Sequence, residues 1–521
     1  MRGAPKQFLV AGFAAAIIAA VVTRAAAAVE RPAASAAIAA CVAADLERAG
    51  LRAAPRCSDE VFLRRVFIDA IGTIPTIGEV RAFLDDPAPD KRARLIDRLL
   101  ERDEFADTWA NKWSDLLRVK AEYPINLWPN AAQAYHRWIH DAVRDDMPYD
   151  RFARALLTAN GSNFRVGPVN FYRAVQNRTP SGFAQAVALT LMGTRADRWE
   201  PARLDGMAVF FAQIGSKSTA EWKEEIIFHD PSKASAPAAG PAASYPDGKP
   251  AVLSASRDPR EVFADWLVRP DNPWFARAAA NRIWSWMLGR GVVHEPDDFR
   301  ADNPPVNAEL LDALEHEFVA GGFSQKHLFR VVLNSDTYQR ATLPGDDSQA
   351  TAHFAAYPIR RLDAEVLIDA INQITGTTEN YTSAIPEPFT YIPPGQRAIA
   401  LPDGSISSPF LEMYGRPSRD TGLESERSNQ ATATQRLHLL NSTHIRRKLE
   451  QGPGIRETLT AGAGARESVD RLYLAILSRP PSEEERRMAR DYVRGSGLAP
   501  REAALDLAWA LLNTSEFLHR H

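Results

Sequence analysis

Two cysteines in 521 residues are too few for a disulfide-dense scaffold. They are also too few for an all-cysteine zinc site, which takes four thiolates. No Cys-x-x-Cys-His string occurs, so covalent c-type haem attachment of the usual kind is excluded and no cofactor is expected. His-Glu-x-x-His, Gly-x-Ser-x-Gly and Gly-x-Gly-x-x-Gly are absent as well. Gly215-Ser216-Lys217-Ser218-Thr219 has the look of a phosphate loop, but it lacks the second upstream glycine and follows no recognisable strand. An excess of charge of one sign is missing too. The formal net charge is −3, so no global basic field draws nucleic acid. Beyond Val22 no run of 18 apolar residues occurs, and no later membrane span is expected. With 45% hydrophobic and 24% charged residues the chain is globular, and too long for one core.

The N-terminus reads as an address. Arg2 and Lys6 precede an apolar run, Phe8 to Val22, and Ala26-Ala27-Ala28 offers a cleavage site, so residues 1–28 form a three-part secretory signal. The run is about fifteen residues, short of the ~20 needed to span; a retained anchor is the alternative. Export to the periplasm or beyond is expected. In that oxidising compartment Cys41 and Cys57 are expected to pair as a disulfide; two buried free thiols are the alternative.

From there the chain reads as helix after helix, mainly α with little or no β-sheet. Ser58 caps a helix stopped by Gly72; Thr76 with Glu79 and Ser482 with Glu485 form capping boxes. Asp90 and Asn130 are read as caps, and Thr179-Pro180 as a helix start. Trp109, Trp113 and Leu117 form an apolar stripe. Composition shifts over residues 229–257, rich in Pro, Ala and Ser. That stretch reads as a linker between an N-terminal lobe, 33–228, and a C-terminal lobe, 258–521, the two interlocked. Thr377 to Ser428 carries seven prolines but also Tyr381, Phe389, Tyr391, Phe410 and Tyr414, which argues for a long ordered loop.

Four polar clusters exceed what a solvated face requires: Arg195–Trp199; Asn281-Arg282 through Asp298 and Arg300; Arg360-Arg361 with Asp363; and Arg416 and Arg419 through Glu424, Glu426 and Arg427. Arginine forks suit carboxylates, phosphates and sulfates. Each cluster can equally be an internal ion-pair network; together they are expected to line one cleft. His136 and His140 share a helical face at i, i+4, but no third ligand lies near in sequence, so no metal site is assigned.

These residues carry a resemblance. Asp59–Lys120, with Gly72-Thr73-Ile74-Pro75-Thr76 and Trp109-Ala110-Asn111-Lys112-Trp113, resembles the secreted planctomycete-type domain of unknown function fifteen-forty-nine, a cytochrome-associated domain. Asp258–Asn513, with Asn281-Arg282-Ile283-Trp284, Asp297-Asp298-Phe299-Arg300 and Gly415-Arg416-Pro417, resembles its companion, domain fifteen-fifty-three. The family has no settled activity to carry over. The resemblance implies a Cys-x-x-Cys-His haem segment after Arg195, where this chain passes directly to Asp197. It also implies Cys-Glu-Cys-Glu-Arg-Ser where this chain has Leu423-Glu424-Ser425-Glu426-Arg427-Ser428. Both sulfur-bearing elements are missing together.

Three readings follow. One is a haem-free accessory or binding protein of the cell envelope, using Asn281, Arg282, Arg300, Arg360, Arg361, Arg416, Arg419 and Arg427 around an anionic glycan or partner protein. Another is a periplasmic enzyme, hydrolytic or redox with a separate electron carrier, with Asp298, Glu424 or Glu426 as acid or base. The third is a structural remnant whose clusters only join the lobes.

Overall fold

The computed structural model describes residues 33–233, 242–343, 345, 348–460 and 464–521. The signal sequence read over residues 1–28 lies outside the described residues. The fold is mainly helical, with sheets of two or three strands only. No helix among the described residues is long and apolar enough to cross a membrane.

Helices start where side chains satisfy their first amides. Ser58 Oγ accepts from Val61 N and opens Asp59–Ile71, which Gly72 ends in the left-handed conformation at φ 61°. Thr76 and Glu79 satisfy each other's amides ahead of Ile77–Leu84, as Ser482 and Glu485 do ahead of Glu483–Ser496. Thr179 caps Pro180–Met192. Two expected caps differ. Asp90 precedes Lys91–Leu100 but makes no cap bond; its carboxylate accepts from Arg94 Nε instead. The helix assigned to Asn130 is Pro129–Arg144, with Trp128 as its N-cap, because the fixed φ of Pro129 suits the first helical position.

The largest sheet among the described residues is antiparallel, in the order Gly161–Ser162, Glu225–His229, Ile214–Ser218. The string resembling a phosphate loop is therefore mostly a strand, with Lys217 opposite Ile226.

Packing divides the chain elsewhere than composition does. One hydrophobic core joins the first half to residues 259–357, with Tyr149 stacked on Phe275 at 4.9 Å and Trp109 against Trp286 at 5.1 Å. The second gathers Leu362 to Phe517 and takes in Ile68 and Ile74 from the first half. The helix Asp59–Ile71 serves both, since Arg64 donates to the carbonyls of Ile476 and Phe517, and Arg65 to those of Tyr338, Arg340 and His521. The long loop is ordered because it is bonded to the first half. Ala121 N donates to Asp403 Oδ1 at 2.9 Å, Gly404 N to Val119 O, and Lys120 Nζ to Asp420 Oδ1 at 2.7 Å.

The expected disulfide is corrected: Cys41 and Cys57 are free thiols. Each is anchored to a different partner. Asn307 Nδ2 donates to the Cys41 carbonyl, while the buried Cys57 donates its amide to Gln339 O.

Candidate functional site

The helix Asp103–Leu116 turns Trp109 and Trp113 inward, and its periodicity places Lys112 three residues after Trp109, facing the interior with a side chain only 15% exposed. Opposite stands the helix Ala364–Thr375. Its N-cap, Asp363, makes no cap bond because its carboxylate is drawn away by Asn429 Nδ2 at 2.6 Å and Arg520 Nη2 at 2.9 Å. The long loop brings Arg416, Arg419, Glu424 and Arg427 against both helices.

Behind the cavity these groups form one buried ion network. Arg427 donates to Glu365 Oε2 and Asp115 Oδ2, both at 2.7 Å, and so links the long loop to a helix of each half. Arg419, fully buried, donates from Nε to Asp115 Oδ1 at 2.9 Å and from Nη2 to Asn111 Oδ1. Arg416 lies 3.5 Å from Glu365 and donates to the carbonyls of Ile406 and Asp403. Although burial opposes it, Arg427 and Arg416 hold the Glu365 carboxyl down at about 2. Lys112, Arg520 and Arg427 likewise hold Asp363 well below the usual range against its burial. A second knot ties Asp69 to Arg520 at 2.9 Å and to the hydroxyls of Tyr338 and Tyr357 at 2.9 and 2.7 Å.

In front of the network lies a cavity of about 450 Å³, lined among others by Lys112, Trp286, Arg360, Arg361, Glu424 and Arg427. Its size falls within the roughly 300–1,000 Å³ of small-molecule sites. Two groups keep chemistry in reserve. Lys112 Nζ makes no hydrogen bond among the described residues; its nearest carboxylate, Asp363, is 3.6 Å away and already bonded twice. Glu424 accepts one bond, from Trp286 Nε1 at 3.0 Å. Burial, together with nearby Asp297, pushes its carboxyl upward. The pair offers a cation and a carboxyl raised by burial, with Lys112 opposing the rise.

The remaining sequence-derived candidates are placed as follows. Asn281 clamps the backbone of Val293 with both side-chain atoms. Arg282 is wholly buried, donating to the carbonyls of Leu189 and Thr190 and to Asp297. Asp298 and Arg300 leave this cavity for another of about 720 Å³, shared with Arg198, Trp199 and Trp274. Arg360 donates to the carbonyls of Trp286 and Met287 and to Tyr357 Oη. Arg361 donates to Gln435 Oε1 and lies over the Tyr414 ring. Glu426 accepts from Ser418 Oγ, Thr421 Oγ1 and the amides of Asp420 and Thr421, and these bonds hold its carboxyl low against burial. The four clusters do not line one cavity: the third and fourth meet at Lys112, the first shares one cavity with the end of the second and another with Asp420 and Leu423 of the fourth, and Arg282 is consumed inside the protein. The three candidate carboxyls do not share a pocket.

His136 is buried and His140 turns to Asp107 at 3.2 Å. Among the described residues no group of three or more His, Cys, Asp or Glu could hold a metal ion. Sequence reading missed Lys112 and Asp69. The signal was present in both: a lysine between two buried tryptophans, and an aspartate inside the apolar run Val66-Phe67-Ile68-Asp69-Ala70-Ile71.

A third cavity, about 430 Å³, is lined by Arg118, Arg195, Arg198, Asp420 and Leu423 among others. Residues 37–200 match the family model PSCyt2, a protein of unknown function (DUF1549), and residues 259–493 match PSD1, a protein of unknown function (DUF1553). No curated protein and no solved structure matches the chain.

Proposed function

The chain belongs to the family that pairs PSCyt2 with PSD1, both of unknown function, and from that premise we propose an exported, haem-free binding protein of the cell envelope whose cavity at Lys112 takes an acidic glycan. The observation that carries the reading is Lys112, a mostly buried cation in a small-molecule-sized cavity with no hydrogen bond among the described residues. The arginines around it are hydrogen-bonded to carboxylates and carbonyls, whereas Lys112 has only its 3.6 Å ion pair with Asp363, which leaves its ammonium hydrogens for an anion. Glu424, its carboxyl pushed upward by burial, lines the same cavity. Support for the haem-free part is spatial. Of the places where the sequence departs from the family pattern, Arg195–Asp197 and Leu423 line one cavity, and Ser425 lines the neighbouring one at Lys112.

A second reading rests on Glu424 alone. A raised carboxyl with one acceptor bond in a cavity is placed to act as a general acid, but Asp298 and Glu426 supply it no partner.

The test is calorimetric titration of the full chain with uronate-bearing and sulfated oligosaccharides. Lys112→Met is expected to weaken binding ~10–100-fold, the worth of a charge-assisted hydrogen bond. Equal affinity in parent and variant contradicts the assignment. Glycan turnover abolished by Glu424→Gln, with binding kept, decides for the enzyme.

A further inference from the structure

The cavity of about 430 Å³ contains an anomaly in Arg118. Its side chain is buried, 4% exposed, just past the end of the helix Asp103–Leu116. Arg64, wholly buried, makes three hydrogen bonds, as does Arg282. Arg118 makes one, a long 3.4 Å bond from Nη1 to Thr421 O. Its Nε and Nη2 are buried with no acceptor. It joins no ion pair among the described residues.

A guanidinium cannot shed its proton to escape this cost, and an unpaired buried charge is among the most expensive features a protein can hold. The acidic groups nearby do not answer it. Asp420 is bonded to Lys120 Nζ and Ser418 Oγ, Glu426 is bonded by two hydroxyls and two amides, and Asp197 lies at the exposed rim. Two more arginines line the same cavity. Arg195 reaches Glu295 only at 3.4 Å and has a buried Nε without an acceptor; Arg198 reaches Asp298 at 3.5 Å. Leu423 lines this cavity and Glu424 the one at Lys112, so the two are neighbouring but distinct.

We infer that this cavity is an oxyanion site, in which Arg118, Arg195 and Arg198 hold the phosphate, sulfate or carboxylate group of a small ligand. Planar guanidinium forks match the spacing of such oxygens, and a bound anion supplies the counter-charge that the fold does not. This site does not depend on a ligand at Lys112.

The test is thermal unfolding of the full chain in sodium phosphate, sulfate or acetate against chloride at equal ionic strength. At least one oxyanion is expected to raise the midpoint saturably. Phosphate or sulfate acting best identifies a tetrahedral group; acetate acting best identifies a carboxylate. Arg118→Met and Arg195→Gln are each expected to weaken the effect at least ~10-fold, and Arg118→Met without anion to melt no lower than the parent. If Arg118→Met does not fold, Arg195→Gln decides. Midpoints in all three oxyanions equal to that in chloride, or a rise of unchanged concentration dependence in the folded variants, overturns the site.

Discussion

Replacing Arg427 by methionine is expected to cost about 3–5 kcal/mol, the range for removing one partner of a buried ion pair. Its guanidinium is the shared counter-charge of Asp115 and Glu365, which lie in helices from the two halves. Without it Glu365 keeps Asn111 Nδ2 at 3.3 Å and a distant Arg416, and Asp115 keeps Arg419 Nε at 2.9 Å, so the Glu365 carboxylate loses its closest counter-charge. Methionine fills similar volume, so the loss measures charge rather than a cavity. The thermal midpoint should drop by roughly 3–5 °C for a chain of this length. Adding Glu365→Gln should recover part of that drop, because a neutral side chain no longer needs the arginine, while Asp115 keeps Arg419. A single variant that melts with the parent would show that the network is solvated and does not join the halves.

The second large effect is on pH dependence. His136 is 7% exposed, and its Nε2 has no partner. Burial, then the charges of Arg419, His140 and Arg416, hold it down at about 3. The unfolded chain takes up this proton near 6.5 and the folded one only near 3. Stability from this group is therefore full above pH 6.5 and lost progressively as pH falls toward 3. Asp369 works in the opposite direction. Burial raises its carboxyl to about 6, so protonation favours the folded state between that value and the usual one. A difference between variants separates the two. His136→Leu should match or exceed the parent at pH 7, and its advantage should grow by about 1.4 kcal/mol per pH unit between pH 6 and 4. An advantage that does not change over that range contradicts the buried, neutral histidine.

Much of the helical fold was legible because its signals are local. Ser58, Thr76 with Glu79, Thr179 with Pro180, and Ser482 with Glu485 announce helix starts within four residues of chain. The strands Ile214–Ser218 and Glu225–His229 were not legible, since the Ser- and Lys-rich first strand lacks apolar alternation and depends on its partner. Nor does the helix Tyr149–Thr158 carry a clear start signal. The polar clusters were visible as composition, but their division was not. Whether an arginine faces a cavity, like Arg361, or disappears among carbonyls, like Arg282, depends on contacts across tens to hundreds of residues. Arg118 gives no sequence signal; what sets it apart is the absence of partners in three dimensions.

The central claim, an anionic ligand at Lys112 in a haem-free protein, is tested most directly on full chain purified from the envelope fraction of its own host. The measurement is a native mass spectrum taken with an absorption spectrum. The account predicts no Soret band and a bound anionic glycan at one per chain, absent from Lys112→Met purified in the same way. A Soret band, or a glycan retained equally by the variant, contradicts it.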